Sequence, residues 1–170
     1  MIREATIKDA ARIAEIDVNS CRYAYKRIVS DECLFKDLSV ESRIPSVERW
    51  INEKLFEIYV YEDPDSGMIK GMMGIGECGD EDKKGAFELH FIYIDPEFVR
   101  TGIGSEMLKF FESKGRAKGF SEFVVWVLEE NLMGRNFYEK NGYISDGKDK
   151  MFKRWNKREI RYLKAKTTPL

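Results

Sequence analysis

Residues 86–105 restrict what this chain can fold into more than any other stretch. They read Ala-Phe-Glu-Leu-His-Phe-Ile-Tyr-Ile-Asp-Pro-Glu-Phe-Val-Arg-Thr-Gly-Ile-Gly-Ser. The apolar run from Phe87 to Ile94 predicts a buried strand, and Asp95-Pro96 ends it because proline has no N–H to give a ladder. Gly102 and Gly104 then lead into a segment where Ile103, Met107, Phe110 and Phe111 recur at helical spacing. A strand, a glycine turn and a helix start in succession aim unpaired N–H groups, and the positive end of a helix dipole, at one place. Such a place binds anions, phosphate above all.

Spacing removes two common phosphate motifs. A dinucleotide fingerprint needs a third glycine where Met107 stands, and a P-loop needs Gly-Lys-Ser/Thr where the chain has Gly104-Ser105-Glu106.

The flanking segments set the fold class. Ile2–Ile7 predicts a short strand, and Asp9 caps a helix with Ala10, Ile13, Ala14 and Ile16 on one face, running to about Ile28. Ser30-Asp31 heads a short helical piece through Phe35, Ser39–Pro45 reads as a polar break, and Ser46 opens a helix carrying Val47, Trp50 and Ile51. Phe56–Tyr61 and Met68–Gly76 predict a hairpin about Glu62-Asp63-Pro64-Asp65-Ser66-Gly67, with an exposed acidic loop at 77–85. Phe123–Leu128 is unbroken apolar, as in a strand covered on both faces. A helix from Asn131, with Met133 and Phe137, ends at Asn141-Gly142. Tyr143–Ser145, Met151–Trp155 and Glu159–Leu163 read as closing strands, the last two as a hairpin. This order predicts an α/β three-layer sandwich on a mixed, mostly antiparallel sheet. With 170 residues and no linker, repeat or low-complexity tract, one domain over 1–170 is expected.

Composition excludes several function classes. Apolar residues at 43%, with 13% aromatic, exclude general disorder, and a net charge of −1 gives no overall field for nucleic acid or membrane. Cys21, Cys33 and Cys78 are odd in number and lack metal spacing, which favours free thiols in a reducing compartment. The opening residues Met1-Ile2-Arg3-Glu4 carry no apolar h-region, so no leader is expected, and no 18-residue apolar run occurs in the sequence. The expectation is a cytoplasmic protein with no metal, membrane or nucleic-acid partner. The basic stretch Lys148–Arg158 fits a solvated, protected edge better than a nucleic-acid surface.

Two blocks resemble the GNAT superfamily of acetyl-CoA-dependent N-acetyltransferases. Val99-Arg100-Thr101-Gly102-Ile103-Gly104 is similar to the family's Arg/Gln-x-x-Gly-x-Gly/Ala after its fourth strand, with Val99 at the first position. Asn131-Leu132-Met133-Gly134-Arg135-Asn136-Phe137-Tyr138-Glu139-Lys140-Asn141-Gly142-Tyr143 is similar to Asn-x-x-Ala-x-x-Phe-Tyr-x-x-x-Gly-Phe/Tyr, with Gly134 for alanine. The resemblance covers essentially the whole chain and implies a GNAT fold. It also implies an acyltransferase that moves the acetyl group of acetyl-CoA to a primary amine, of a small molecule, by direct attack in a ternary complex. The chain would act without a metal, as a monomer or homodimer. Two alternatives stand beside it: a non-catalytic module that senses acyl-CoA, and a protein lysine or N-terminal acetyltransferase.

The chemistry ranks the residues needed. A primary alkyl ammonium is neutral in about one molecule in 10³–10⁴ at pH 7, whereas a thiol of pKa about 8.5 leaves readily, so the base matters more than the acid. Glu88, inside an apolar strand, is expected to have a raised pKa. By resemblance it aligns with the strand carboxylate that serves as base in the histone-acetylating branch; the alternative is a strand-end glutamate paired with a cation. His90 shares its strand face, as a relay or as a satisfied core histidine. The resemblance gives Tyr138 the role of acid at the coenzyme sulfur, and Asn131 a contact to the pantetheine arm or an ordinary N-cap. It gives Ile92 and Ile94 backbone pairing with the pantetheine, and Arg100, Thr101, Gly102, Ile103, Gly104 and Ser105 the pyrophosphate cradle. Cys21–Lys26 resembles a segment of polyamine- and small-amine-acetylating relatives; Tyr23, Tyr25 and Trp50 read as helix packing, with an aromatic box for a cationic amine as the alternative.

Overall fold

In a computed structural model, which describes residues 1–165, the chain runs β1 (Ile2–Glu4), α1 (Ala10–Tyr25), α2 (Val40–Asn52), β2 (Glu57–Glu62), β3 (Ile69–Glu77) and β4 (Phe87–Ile94). It continues through α3 (Ile103–Ala117), β5 (Glu122–Leu128), α4 (Leu132–Lys140), β6 (Ile144–Phe152) and β7 (Lys157–Ala165). Residues 166–170, the end of the expected domain, lie outside the described residues. The strands hydrogen-bond in the order β1-β2-β3-β4-β5-β7-β6. β4 and β5 pair parallel, while β1–β2, β2–β3, β5–β7 and β7–β6 pair antiparallel. This is the mixed, mostly antiparallel sheet with helices that the pattern predicts. Contacts gather into two compact units, Met1–Ile75 with Phe91–Phe110, and Gly76–His90 with the chain from Phe111 onward.

In the first unit, helical spacing brings Ala10, Ile13 and Ala14 of α1 together with Val47 of α2. They bury against Ile58 and Val60 of β2 and Ile69 and Met72 of β3. Strand alternation turns Tyr59 to the opposite face, where its ring lies 4.9 Å from Phe110 of α3. The glycines of β3 mark close approach. A Cβ at Gly74 would stand 2.3 Å from the Phe91 ring, and that ring is held by Trp50 at 5.1 Å and Phe56 at 5.5 Å. The hairpin turn forms as expected: Asp63 Oδ1 accepts the N–H groups of Asp65 and Ser66, and Gly67 has φ +68°.

In the second unit, Phe87 of β4 stacks on Phe111 of α3 at 5.3 Å and on Phe120 at 4.9 Å. Gly115 lets α3 come down onto the sheet, since a Cβ there would stand 2.5 Å from Phe123. Buried Glu112 is satisfied by Tyr143 Oη at 3.2 Å, Lys164 Nζ at 2.8 Å and Arg116 at 2.9 Å, which ties α3 to β7. Tyr162 of β7 donates to Glu139 of α4 at 2.6 Å. Buried Glu112 is tolerated because both of its oxygens find donors.

Four segments differ from the sequence expectation. The first strand stops at Glu4 rather than Ile7, and α1 ends at Tyr25 rather than near Ile28. Ser39–Pro45 is no break. Ser39 Oγ accepts the Ser42 N–H at 3.1 Å and the Ser39 N–H returns a bond to Ser42 Oγ, so α2 starts there and absorbs Pro45. Pro45, past the first turn, forfeits the hydrogen bond to the Glu41 carbonyl, and the cap together with the packing of Ile44, Val47, Trp50 and Ile51 on the core holds the helix through it. Tyr143–Ser145 and Met151–Trp155 are not separate strands: β6 runs through both, with a register shift between Ser145 and Asp149. The acidic loop is largely exposed, as expected, and is anchored where Asp80 and Asp82 fold onto buried Arg161 at 3.0 and 2.7 Å.

Gly74→Ala is expected to cost about 1–3 kcal/mol, because the Phe91 ring has nowhere to move. Denaturant unfolding of the variant beside wild type checks it; equal stability would show that the aromatic cluster yields.

Candidate active site

The loop after β4 leaves the start of α3 electrically open. The first hydrogen bond of the helix runs from the Glu106 N–H to Gly102 O at 3.0 Å, so the N–H groups of Ile103, Gly104 and Ser105 have no acceptor among the described residues. No side chain caps them, whereas α2 is capped by Ser39 and α4 by Asn131. Thr101 turns its hydroxyl back to Phe98 O at 2.6 Å, which pins the loop and keeps it off the helix end. Arg100 and Gly102 hold positive φ, +64° and +92°, a path that curls the amides inward. Arg100, Thr101 and Gly102 are exposed, Gly104 and Ser105 half-buried, and Ile103 is buried as an anchor. The arrangement fits a diphosphate.

Ile92 and Ile94 lie in the C-terminal half of β4. Within the second unit β4 pairs with β5 from Phe87↔Phe123 to Leu89↔Val125, and β5 continues to Leu128 paired with β7. Both isoleucines are half-buried. The Ile94 carbonyl already accepts from Ser20 Oγ at 2.8 Å, so its acceptor is in use.

Glu88 and His90 point to one face of β4, with His90 Nδ1 3.3 Å from Glu88 Oε1. Glu88 departs from the expected raised pKa. Burial pushes the carboxyl up, but the hydrogen bond and charge of His90, the hydrogen bond of Cys78 and the charge of Lys150 outweigh it, and the net shift is downward. A buried glutamate rises only if left alone. The same contact, together with burial, pushes the Cys78 thiol up to about 12. Cys78 is a partner that sequence reasoning missed, because its position one residue past β3 gives no signal until the strands are registered.

Tyr138 of α4 is buried, and burial alone raises its phenol well above the ordinary value. Its hydroxyl makes no hydrogen bond among the described residues, although its ring packs on Phe137 at 5.2 Å and Tyr143 at 5.8 Å. It is a neutral donor with its proton unspent. Met133, which shares a face of α4 with Phe137 at helical spacing, is 47% exposed, while Tyr138 on another face is buried. Asn131 is buried and caps α4, its Oδ1 accepting from the Gly134 N–H at 3.0 Å. A Cβ at Gly134 would stand 2.6 Å from Asn131 Nδ2, which accounts for glycine there.

The aromatic residues of α1 and α2 divide. Trp50 is packed among Phe56 and Phe91 and covered by Arg43 at 4.5 Å, itself ion-paired to fully buried Asp17. Tyr23 is 48% exposed. Tyr25 sits against Tyr93, whose phenol is pushed up first by burial and then by Tyr25 and Cys21. The basic stretch is answered by carboxylates: Arg158 by Asp149 and Glu129, Lys157 by Glu130. No helix among the described residues is long and apolar enough to cross a membrane.

The acetyltransferase (GNAT) family pattern matches residues 23–143, well over half of the chain and both glycine-loop and α4 blocks. The chain belongs to the GNAT family of acetyltransferases. It is similar to the spermidine N(1)-acetyltransferase of Thermoplasma acidophilum, 28% identical over 161 residues that cover 87% of this chain and 92% of that protein. It is also similar to the uncharacterized N-acetyltransferase YuaI of Bacillus subtilis, 29% identical over 138 residues, 76% of this chain and 72% of that protein. Among solved structures, the PaiA N-acetyltransferase of Thermoplasma acidophilum in complex with coenzyme A superposes with a TM-score of 0.72 at 22% identity, covering 95% and 96% of the two chains. The YncA acetyltransferase of Salmonella typhimurium with acetyl-CoA gives 0.68 at 17%, covering 100% and 95%.

This GNAT protein is thus an acyltransferase, and acetyl-CoA is its co-substrate. The first unit carries the amide cradle and the C-terminal half of β4; the second carries Glu88, His90, Asn131 and Tyr138. Gly104→Asp sets a carboxylate among the bare amides, and coenzyme A affinity is expected to fall by about 10²-fold or more. Calorimetric titration reads it, and unchanged affinity would put the diphosphate elsewhere.

Proposed function

We propose that this acetyltransferase modifies the primary amine of a small molecule, a polyamine foremost, by direct attack in a ternary complex. The observation that carries the reading is the row of amides at the start of α3 that have no acceptor among the described residues. The polyamine part draws on the similarity to a spermidine N(1)-acetyltransferase and on the carboxylates gathered beside Glu88.

Acetyl-CoA, when bound, supplies an acetyl thioester whose thiolate is a good leaving group. The amides of Ile103, Gly104 and Ser105 hold the pyrophosphate, with Gly102 shaping the turn and Arg100 and Thr101 at its rim. Backbone groups of Ile92 and Ile94 line the pantetheine, and one N–H there polarises the acetyl carbonyl. Asn131 fixes the start of α4 and thereby Tyr138. Glu88 takes the ammonium proton, through water and with His90 as neighbour, so that the amine lone pair is freed. As the N–C bond forms and the C–S bond breaks, Tyr138 gives its proton to sulfur, and the second proton on the new amide nitrogen leaves through water and restores the phenol. A carboxylate held in its ionised form is a weak base but a strong anchor for an ammonium, so Glu88 acts first by binding the acceptor charged and then by accepting its proton.

An amine panel with acetyl-CoA and a thiol reagent tests the reading; no turnover on any small amine would sink it. Tyr138→Phe is expected to lower kcat by about 10–10³-fold with coenzyme affinity unchanged. An intact kcat would leave protonation to water. Glu88 is active as the carboxylate, so activity holds above its pKa and falls as pH drops through it. That limb should lie below the ordinary value of 4.5 in wild type and vanish in Glu88→Gln. A pH–rate profile of kcat with the same limb in both proteins would assign the base elsewhere.

A further inference from the structure

The sheet face around Glu88 already holds a cation. Residues directly opposite in paired strands point to one side. Through Glu88↔Val124, Trp126↔Arg161, Leu128↔Glu159 and Lys150↔Glu159, the face therefore carries Glu88 of β4, Trp126 of β5, Arg161 and Glu159 of β7, and Lys150 of β6. Lys150 starts on the outermost strand, and its side chain crosses β7 to place Nζ 4.0 Å from the centre of the Trp126 ring. Asp80 accepts the Trp126 indole N–H at 3.1 Å and lies 3.9 Å from the same ammonium.

Arg161, buried, is held by Asp80, Asp82 and Asp146 and stands 5.6 Å from the centre of the Trp126 ring, farther from it than Lys150. Glu159 makes no hydrogen bond or ion pair among the described residues; burial raises its pKa, the Lys150 charge opposes that, and the Glu88 charge adds to it. An indole face rimmed by carboxylates is a setting for an alkylammonium. Lys150 fills it loosely, its side chain 45% exposed. An exposed cation–π contact and an exposed ion pair each shift an equilibrium by only about 2–5-fold, so another ammonium can take the place.

We propose that Trp126, Asp80 and Glu159 form a subsite for the non-reacting ammonium of a diamine or polyamine acceptor, and that Lys150 is the resident ammonium which the acceptor displaces. The inference rests on the amine-acetylating reading and adds the residues that select the acceptor. A monoamine needs its one nitrogen at the reacting end and leaves Lys150 seated. A polyamine brings a second charge and competes with it.

Calorimetric titration of spermidine and of propylammonium, with and without coenzyme A, tests this on wild type and variants. Lys150→Ala should bind spermidine about 2–5-fold tighter, with propylammonium unchanged. Lys148→Ala, an equal change of charge on the same strand, should match wild type, as should Lys150→Arg. Trp126→Leu should bind spermidine more weakly, and adding Lys150→Ala to it should gain nothing. Should Trp126→Leu unfold, the comparison of Lys150→Ala with Lys148→Ala decides alone. Equal spermidine affinity in wild type and Lys150→Ala, an equal gain in Lys148→Ala, or no spermidine binding in any form overturns the subsite. Acetyl transfer is scored separately: the binding pattern without turnover supports the subsite and overturns the amine-acetylating reading.

Discussion

Three amides at the head of α3 with no acceptor among the described residues are the constraint around which the first unit is arranged. Backbone donors that go unpaired are rare and costly where water is excluded, so a chain that leaves them open has to keep them wet or fill them with a ligand. Here the loop does the former without closing. Thr101 bonds back to Phe98, Arg100 and Gly102 take left-handed φ, and no Ser, Asp or Asn stands at the cap position. The contrast with the capped starts of α2 and α4 shows that the chain has capping residues to use and omits one here. Ile103, buried under the turn, fixes the helix end without touching its donors.

The second unit is governed by how charge is shared on one sheet face. Glu88 is stabilised as an anion by His90, Cys78 and the more distant Lys150, and a carboxylate so held is better at keeping a cation than at seizing a proton. Tyr138 has the opposite character. Its burial keeps the phenol protonated, and no neighbour among the described residues claims that proton. An anionic site and a neutral donor suit the two ends of an amine acetylation, where charge starts on nitrogen and finishes on sulfur.

The legible parts of the sequence were those with a local physical cause. The β4–loop–α3 junction could be read because proline, glycine and helical spacing act within a few residues of one another. The same holds for the hairpin turn at Asp63–Gly67 and for the cap at Asn131. Ser39–Pro45 misled because polar composition was weighed above a reciprocal Ser39–Ser42 cap, and the split of β6 because exposed polar strand residues carry no burial pattern. Met133 and Phe137 share a helical spacing, yet Met133 lies half in solvent while Tyr138 on another face is buried.

By itself the sequence determined the glycine turn between β4 and α3 and the family, since these rest on residue types a few positions apart. Tertiary structure alone decided the protonation bias of Glu88 and the setting of Trp126. Cys78, His90, Asp80, Glu159 and Lys150 come from different strands, and only register brings their charges within reach. A pKa depends on what stands a few ångströms away in space, and strand pairing, not chain distance, sets that neighbourhood.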